Sequence, residues 1–474
     1  MAFNSIAFGL FLTVVFFVSW SLRRGGRAWL LFLLGASYVF YGSWNEKYLL
    51  LIVFSTALDY WVGRRIHLEE REGRRKAWLT LSIAGNLGML GTFKYYDFFA
   101  SSLVELAGGF GVSLSLPLLN VLLPVGISFY TFQTLSYTID IYRRKLEPAE
   151  SFLELALFVA FFPQLVAGPI VRAKQFLPQF HNPQDITPER LGTGLGLILK
   201  GLFKKVVIAD FLGAMVVDPV FAAPGDYGAA DTWLSIYCYA LQLYGDFSGY
   251  TDIARGSARL LGFELPENFV APYASRNLQD FWQRWHITLS TWLRDYLYIP
   301  LGGSRLGPVR TYVNLAMVAV VAGLWHGARW SLVTWGAMHG IGLAATRLFQ
   351  RWRESRRGEL PEPRGLQALV FRVLTFHYVA ASMILFRGGN WDTIGAIFRG
   401  LVSGGGVPTL VTGSVAAAVA IGYGTHFTPM DWKERALHRF GDLPGWVQGT
   451  VLAATLSLFQ TLSLESDPFI YFQF

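Results

Sequence analysis

The chain has 474 residues, of which 53% are hydrophobic, 16% aromatic and only 15% charged, against about 25% charged in an average soluble protein. With a mean hydropathy of +0.37, this balance excludes a disordered or collagen-like chain, leaves too few charges to cover a soluble fold, and points to an integral membrane protein. The net charge is +8; in a membrane protein such an excess belongs to cytoplasmic loops, and no basic stripe interleaved with aromatics supports nucleic-acid binding.

A spanning helix needs about 20 mostly apolar residues. Segments of that kind are predicted at 5–22, 28–43, 48–63, 77–100, 118–141, 152–168, 191–222, 230–249, 311–327, 330–348, 366–387, 408–425 and 446–464. Some are short enough to tilt or re-enter, so the expected fold is all-α and polytopic, with about 10–13 membrane helices. Residues 1–22 lack a basic start and are followed by Arg23, Arg24 and Arg27, the order of a retained first helix rather than a signal peptide. Further basic clusters lie at Arg64–Lys76, Arg143–Lys145, Arg351–Arg357 and Lys433–Arg439. Their spacing is consistent with all of them facing the cytoplasm, which puts the N-terminus and Phe469–Phe474 outside. The chain divides into N-terminal helices (1–117), a core (118–348) and C-terminal helices (349–474) of one membrane domain.

Two stretches break the pattern. Residues 250–310 mix Asp252, Arg255, Arg259, Asp280, Arg284, His286, Arg294 and Asp295 with Trp282, Trp285 and Trp292, and Pro266, Pro272 and Pro300 forbid one long helix. Phe162–Pro178 is interrupted by Pro163, Gly168, Pro169 and Pro178. Both read as short or re-entrant segments buried in protein, because irregular backbone is tolerated at membrane depth only there.

Ionisable groups in membrane segments are costly and are functional candidates by default. Asp59, Asp140, Asp246, Asp252, His326 and His339 qualify. For Asp59 and Asp140 the favoured reading is a structural partner of a neighbouring Arg or backbone amide, and His339 reads as a helix-packing residue. His326 sits in the run Gly323-Leu-Trp-His-Gly327, with Trp325 as an apolar neighbour and glycines that permit close approach. It lies 16 residues after Arg310, about 24 Å of helix into the bilayer. Burial there favours a neutral imidazole able to accept a proton, although an interhelical hydrogen bond is the commoner role for a membrane histidine. Trp282, Trp285 and His286 recur at i, i+3 and i+4, hence on one predicted helical face. That face reads either as the wall of an acyl-donor cavity or as an interfacial aromatic belt. The single cysteine, Cys238, excludes an intrachain disulfide and a cysteine zinc site, and no metal site is expected. The chain lacks a nucleophile elbow, a P-loop, a dinucleotide fingerprint and a zinc-protease motif.

Taken together, Pro124–Arg144, Phe161–Phe180, Tyr244–Arg255, Asn277–Arg305, Gly323–Ala328 and Phe469–Phe474 resemble the membrane-bound O-acyltransferase (MBOAT) family. They look closest to its bacterial branch containing the membrane subunit of alginate O-acetylation; a related branch transfers D-alanine from a carrier protein. The resemblance implies a ring of tilted helices around a tunnel, with His326 catalytic and His286 near the tunnel on its cytoplasmic side. On this reading acetyl-CoA, or another acyl thioester, is the donor substrate and no cofactor stays bound. Asn277, Arg284, His286 and Arg294 become candidates to hold donor phosphates or polarise the carbonyl, with Trp282, Trp285 and Trp325 lining the cavity. The expected setting is the lipid of the bacterial inner membrane, and the expected partner is a periplasmic or membrane-anchored polysaccharide acetyltransferase. The rival reading is a polysaccharide-precursor transporter or flippase. It needs paired broken helices in two similar halves, a symmetry the chain does not show.

Overall fold

The computed structural model describes residues 1–166, 168–357 and 363–462; Phe469–Phe474 lies outside them. Among the described residues every regular element is helical, with no strand and one isolated bridge, between Phe269 and Trp285. Among the described residues three helical stretches, Ile6–Gly25, Pro308–His326 and Gly365–Arg387, are long and apolar enough to cross a membrane by length and composition. The chain divides into two compact units, 1–194 with 254–266, and 195–253 with 267–474.

The first unit opens with α1 (Ile6–Leu22), α2 (Arg27–Gly42) and α3 (Leu49–Leu68). Ser5 caps α1 by accepting from Phe8 N at 3.2 Å. On α1 the buried residues Phe8, Leu12 and Val15 oppose the exposed residues Ile6, Leu10, Val14 and Phe17. A helix apolar on both faces suits lipid on one side and protein on the other. α4 (Glu72–Leu90) runs through a π turn at Gly91–Tyr95 into α5 (Tyr96–Gly109), so the expected segment 77–100 is one interrupted helix. The segment expected from 118 starts only at α6 (Ile127–Tyr142), because Pro124 and Gly126, at φ +75°, hold the preceding residues out of a helix. α7 (Phe152–Ala160), α8 (Phe162–Leu165), α9 (Ala173–Phe176) and α10 (Pro178–His181) follow, broken where the prolines required.

Between α3, α4 and α6 lies a buried polar core. Asp59 accepts from Ser82 Oγ at 2.5 Å and from Asn86 Nδ2 at 2.8 Å, while Ser55 donates to Asn86 Oδ1 at 2.6 Å. The carboxyl group is fully buried and hydrogen-bonded on both oxygens, a structural role whose partners are serine and asparagine side chains rather than the arginine or backbone amide expected.

α11 (Pro188–Leu202) leads into the second unit and continues through π turns at Phe203–Asp210 and Gly213–Val217 to α12 (Asp218–Ala222). α13 (Ala229–Leu260) is 32 residues long and carries Asp246 and Asp252 in its interior. Lys205 Nζ bridges Asp210 and Asp246, each at 2.7 Å, and Asp252 takes Lys200 at 3.2 Å and Lys204 at 2.7 Å. These pairs compensate charges that would otherwise be prohibitive at such burial. The polar stretch then folds as α14 (Leu278–Trp282) and α15 (Ile287–Leu293), followed by a π turn at Arg294–Tyr298. α16 (Pro308–His326) and α17 (Trp330–Arg357) form an antiparallel hairpin with a short Gly327-Ala-Arg329 turn. α18 (Gly365–Arg387), α19 (Trp391–Val402), α20 (Gly413–Phe427), α21 (Met430–Gly441) and α22 (Gly445–Leu462) complete the described chain.

Candidate active site

His326 is the last residue of α16, where Gly327, in an extended conformation, ends the helix. The imidazole is 4% exposed. Its ring centroid lies 4.9 Å from Trp325, 5.2 Å from Trp335 and 5.2 Å from Phe386, all three at steep interplanar angles. α17 supplies Trp335 and, one turn later, His339; α18 supplies Ser382 and Phe386. The hairpin can place these groups so closely because glycines line its seam. A Cβ on Gly323 would meet Leu332 O at 2.2 Å, and one on Gly336 would meet Ala319 O at 2.4 Å. Backbones approach this closely in membrane helix pairs only where the facing residues are small.

His286 is fully buried and packs edge-on against Phe247 at 4.7 Å. Its ring lies 5.8 Å from Trp325, so the Trp325 indole touches both histidines and joins them. His286 does not share a helical face with Trp282 and Trp285, contrary to the spacing argument. α14 ends at Trp282, and His286 sits at φ +44° as the entry to α15. Asn268 fixes that turn. Its Oδ1 accepts from Thr288 N at 3.1 Å and from Thr288 Oγ1 at 2.9 Å, and it faces His286 Nδ1 at 3.3 Å. With Oδ1 serving as acceptor throughout, the proton of a neutral His286 belongs on Nδ1. Backbone bonds from Val270 N to Arg284 O and from Ile287 N to Asn268 O, both 3.0 Å, close the loop.

The other expected site residues divide into two groups. Trp282 stands 5.8 Å from Trp335 and 5.4 Å from His339, and Trp285 stacks on Phe281 at 5.7 Å. With Trp325, these indoles belong to the walls around the histidines. Asn277 caps α14, accepting from Asp280 N at 2.9 Å. Arg284 pairs with Asp280 at 2.6 Å, and Arg294, more exposed, with its neighbour Asp295 at 2.8 Å. Asn277 and Arg284 therefore serve the local turn around Asp280, and a role toward a donor would be additional to it.

Three residues that the pattern did not single out as site groups come forward: Asn268, His339 and Phe386. His339 was legible as an intramembrane histidine four residues beyond Trp335. Asn268 and Phe386 reach the site only through tertiary packing. Among the described residues, the space beside His326 is a cavity lined by Phe281, Trp285, Trp335, His339, Ser382 and Phe386 among others. It leaves about 10 Å³ for the centre of a water-sized sphere, close to what one water needs.

The site thus holds one buried imidazole at a helix end among aromatic rings, and a second histidine that packs on the same indole. Residues 144–385 match the membrane-bound O-acyltransferase family, and the chain belongs to that family. It is 41% identical over 406 residues to a probable alginate O-acetylase AlgI of Pseudomonas aeruginosa, covering 85% of this chain and 75% of that one. It is 37% identical to a probable alginate O-acetylase AlgI of Pseudomonas putida over the full length of both. It is also 38% identical over 403 residues to a peptidoglycan O-acetyltransferase of Helicobacter pylori, covering 80% and 74% of the two chains. The protein is thus a membrane O-acyltransferase.

Proposed function

We propose that the protein moves an acetyl group from a cytoplasmic thioester, acetyl-CoA, toward a polysaccharide outside the inner membrane, acting with a periplasmic or membrane-anchored acetyltransferase. The observation that carries this reading is the placement of His326: buried, at the end of α16, among Trp325, Trp335 and Phe386. A charged donor cannot cross the bilayer, so the chemistry belongs where donor and acceptor can each reach one imidazole from opposite faces. The ring of about 10–13 tilted helices with re-entrant segments provides that meeting point. Because the cavity beside His326 is small, the lining aromatics must swing aside for the thioester to enter.

In the transfer, His326 takes the proton of the acceptor hydroxyl as its oxygen attacks the thioester carbonyl. The tetrahedral intermediate collapses with cleavage of the C–S bond. The acyl group stays on oxygen, and the departing thiolate recovers the proton from the imidazolium. Positioned bases of this kind contribute about a hundred- to ten-thousand-fold. Trp325 packs against the His326 ring at 4.9 Å and against His286 at 5.8 Å, so it helps to hold both imidazoles in place. The alginate and peptidoglycan acetylation for which the relatives are named supports acetyl as the group and a carbohydrate as the final acceptor.

The test uses purified protein in liposomes with radiolabelled acetyl-CoA, with and without the partner acetyltransferase. His326→Ala reduces label transfer by about a hundredfold or more. Transfer at the wild-type rate in this variant would overturn the assignment.

A further inference from the structure

His339 is 1% exposed, and its hydrogen bonding fixes which nitrogen carries its proton. Nε2 lies 2.9 Å from Ser382 Oγ, and Ser382 Oγ lies 2.6 Å from Val379 O. A serine hydroxyl has one proton. Val379 O can only accept, so it takes that proton, and Ser382 Oγ accepts from His339 Nε2–H. The neutral ring then carries a bare lone pair on Nδ1. Among the described residues no protein donor reaches Nδ1, which is fully buried. A buried acceptor of this kind is costly unless a donor is brought to it.

The cavity shared with His326 supplies the place for that donor. Its room for the centre of a water-sized sphere is about 10 Å³, near the ~10–15 Å³ that one water occupies. Its lining side chains include His326, His339 and Ser382, each with an atom able to accept a hydrogen bond, and a buried water typically makes about two to four hydrogen bonds. Trp335 packs against both imidazoles, 5.2 Å from His326 and 4.6 Å from His339. We propose that His339 is a positioning residue for acyl transfer: its Nδ1 accepts from a single water that in turn accepts the N–H of His326. That bridge fixes the tautomer and tilt of the catalytic ring, so the opposite nitrogen presents its lone pair to the acceptor hydroxyl. Ser382 is the outer end of the same chain, locking the His339 tautomer from behind.

The inference rests on the reading of His326 as general base, and the experiment separates the two. Full-length protein in detergent is assayed for acyl transfer from acetyl-CoA, with the thermal midpoint of every variant measured alongside. His339→Leu lowers kcat by about ten- to a hundredfold, the range for losing the partner that orients an active-site imidazole, while KM for acetyl-CoA stays within about twofold. His339→Asn recovers most of the loss, since its Oδ1 offers an acceptor close to where Nδ1 stood. Ser382→Ala falls between the two. Wild-type kcat in folded His339→Leu and Ser382→Ala overturns the proposal. So does His339→Asn as inactive as His339→Leu, which marks packing alone, or a loss confined to KM. Should His339→Leu fail to fold, His339→Asn and Ser382→Ala decide by the same readings: near wild-type kcat for the first with a reduced kcat for the second supports the bridge, and any other pairing overturns it. Transfer surviving in His326→Ala would instead overturn the general-base reading. Loss in His326→Ala beside wild-type kcat in the His339 variants overturns only the bridge.

Discussion

His286 holds a left-handed backbone, φ +44°, that costs a residue with a Cβ about 1–2 kcal/mol. The side chain of Asn268 is what stabilises it. One amide oxygen collects the backbone N–H and hydroxyl of Thr288 and faces His286 Nδ1. Asn268→Ala strands donors that are buried, each worth about 1–3 kcal/mol when unsatisfied. The variant is expected to lose stability of that order and to lose acyl transfer with it, measured as thermal midpoint and turnover on the same preparation. Asn268→Ser, which keeps an acceptor oxygen on a shorter arm, should retain more of both. An Asn268→Ala protein with wild-type stability and turnover would show that the turn is held by packing of the His286 ring against Phe247 and Trp325 alone. None of this was visible at residue 268 in the sequence, because the contact spans 18 to 20 residues of loop. His326, by contrast, stood out from its own neighbours: a histidine between Trp325 and Gly327 at the end of an apolar run has few reasons to be there.

The helices follow the same division. α1, α2, α16 and α18 begin and end within three residues of where hydropathy put them, since each buries apolar side chains on one face and offers more on the other. α13 extends to Leu260, well past the expected 249, because Asp252 is neutralised by Lys200 and Lys204. A sliding hydropathy average registers that carboxylate as the end of a segment and has no access to its partners. α19 and α21 were missed for a different reason: at 12 residues each they are too short for a spanning pattern. The α16–α17 hairpin is where an element-scale prediction bites. A Cβ on Gly336 would meet Ala319 O at 2.4 Å and one on Gly340 would meet Ala316 Cα at 2.7 Å, so the clash is with backbone and cannot be relieved by a side-chain rotation. Gly336→Val should push the helices apart and carry Trp335 away from His326. Misplacing a reacting group by about 1 Å costs on the order of a hundredfold, so turnover should fall by about that factor while helical content by circular dichroism is kept. Gly424, with nothing near its Cβ position, is the control; Gly424→Ala should be close to wild type. Equal activities in the two variants would remove the seam from the account of the site.

For the whole molecule, the directional claim is that thioester arrives from the face carrying the arginine clusters. The charge rule assigns Arg24, Arg71, Arg356 and Arg439 to the cytoplasm, and the helix order between the last two makes a sharper statement. From Arg356, at the end of α17, the chain passes through α18, then α19 and the loop around Val407, then α20, before reaching Arg439 on α21. If α18 and α20 each cross once, Val407 is outside while both arginines are inside. Val407 is 83% exposed, so a probe can reach it. Cys238 is the chain's one cysteine and is buried, so a Cys238→Ser background gives clean single-cysteine labelling. With a membrane-impermeant maleimide, Val407→Cys should label on intact cells with a permeabilised outer membrane. Arg24→Cys, Arg71→Cys, Arg356→Cys and Arg439→Cys should label only on inside-out vesicles. Labelling of Arg356→Cys and Val407→Cys from the same side would deny α18 a single crossing.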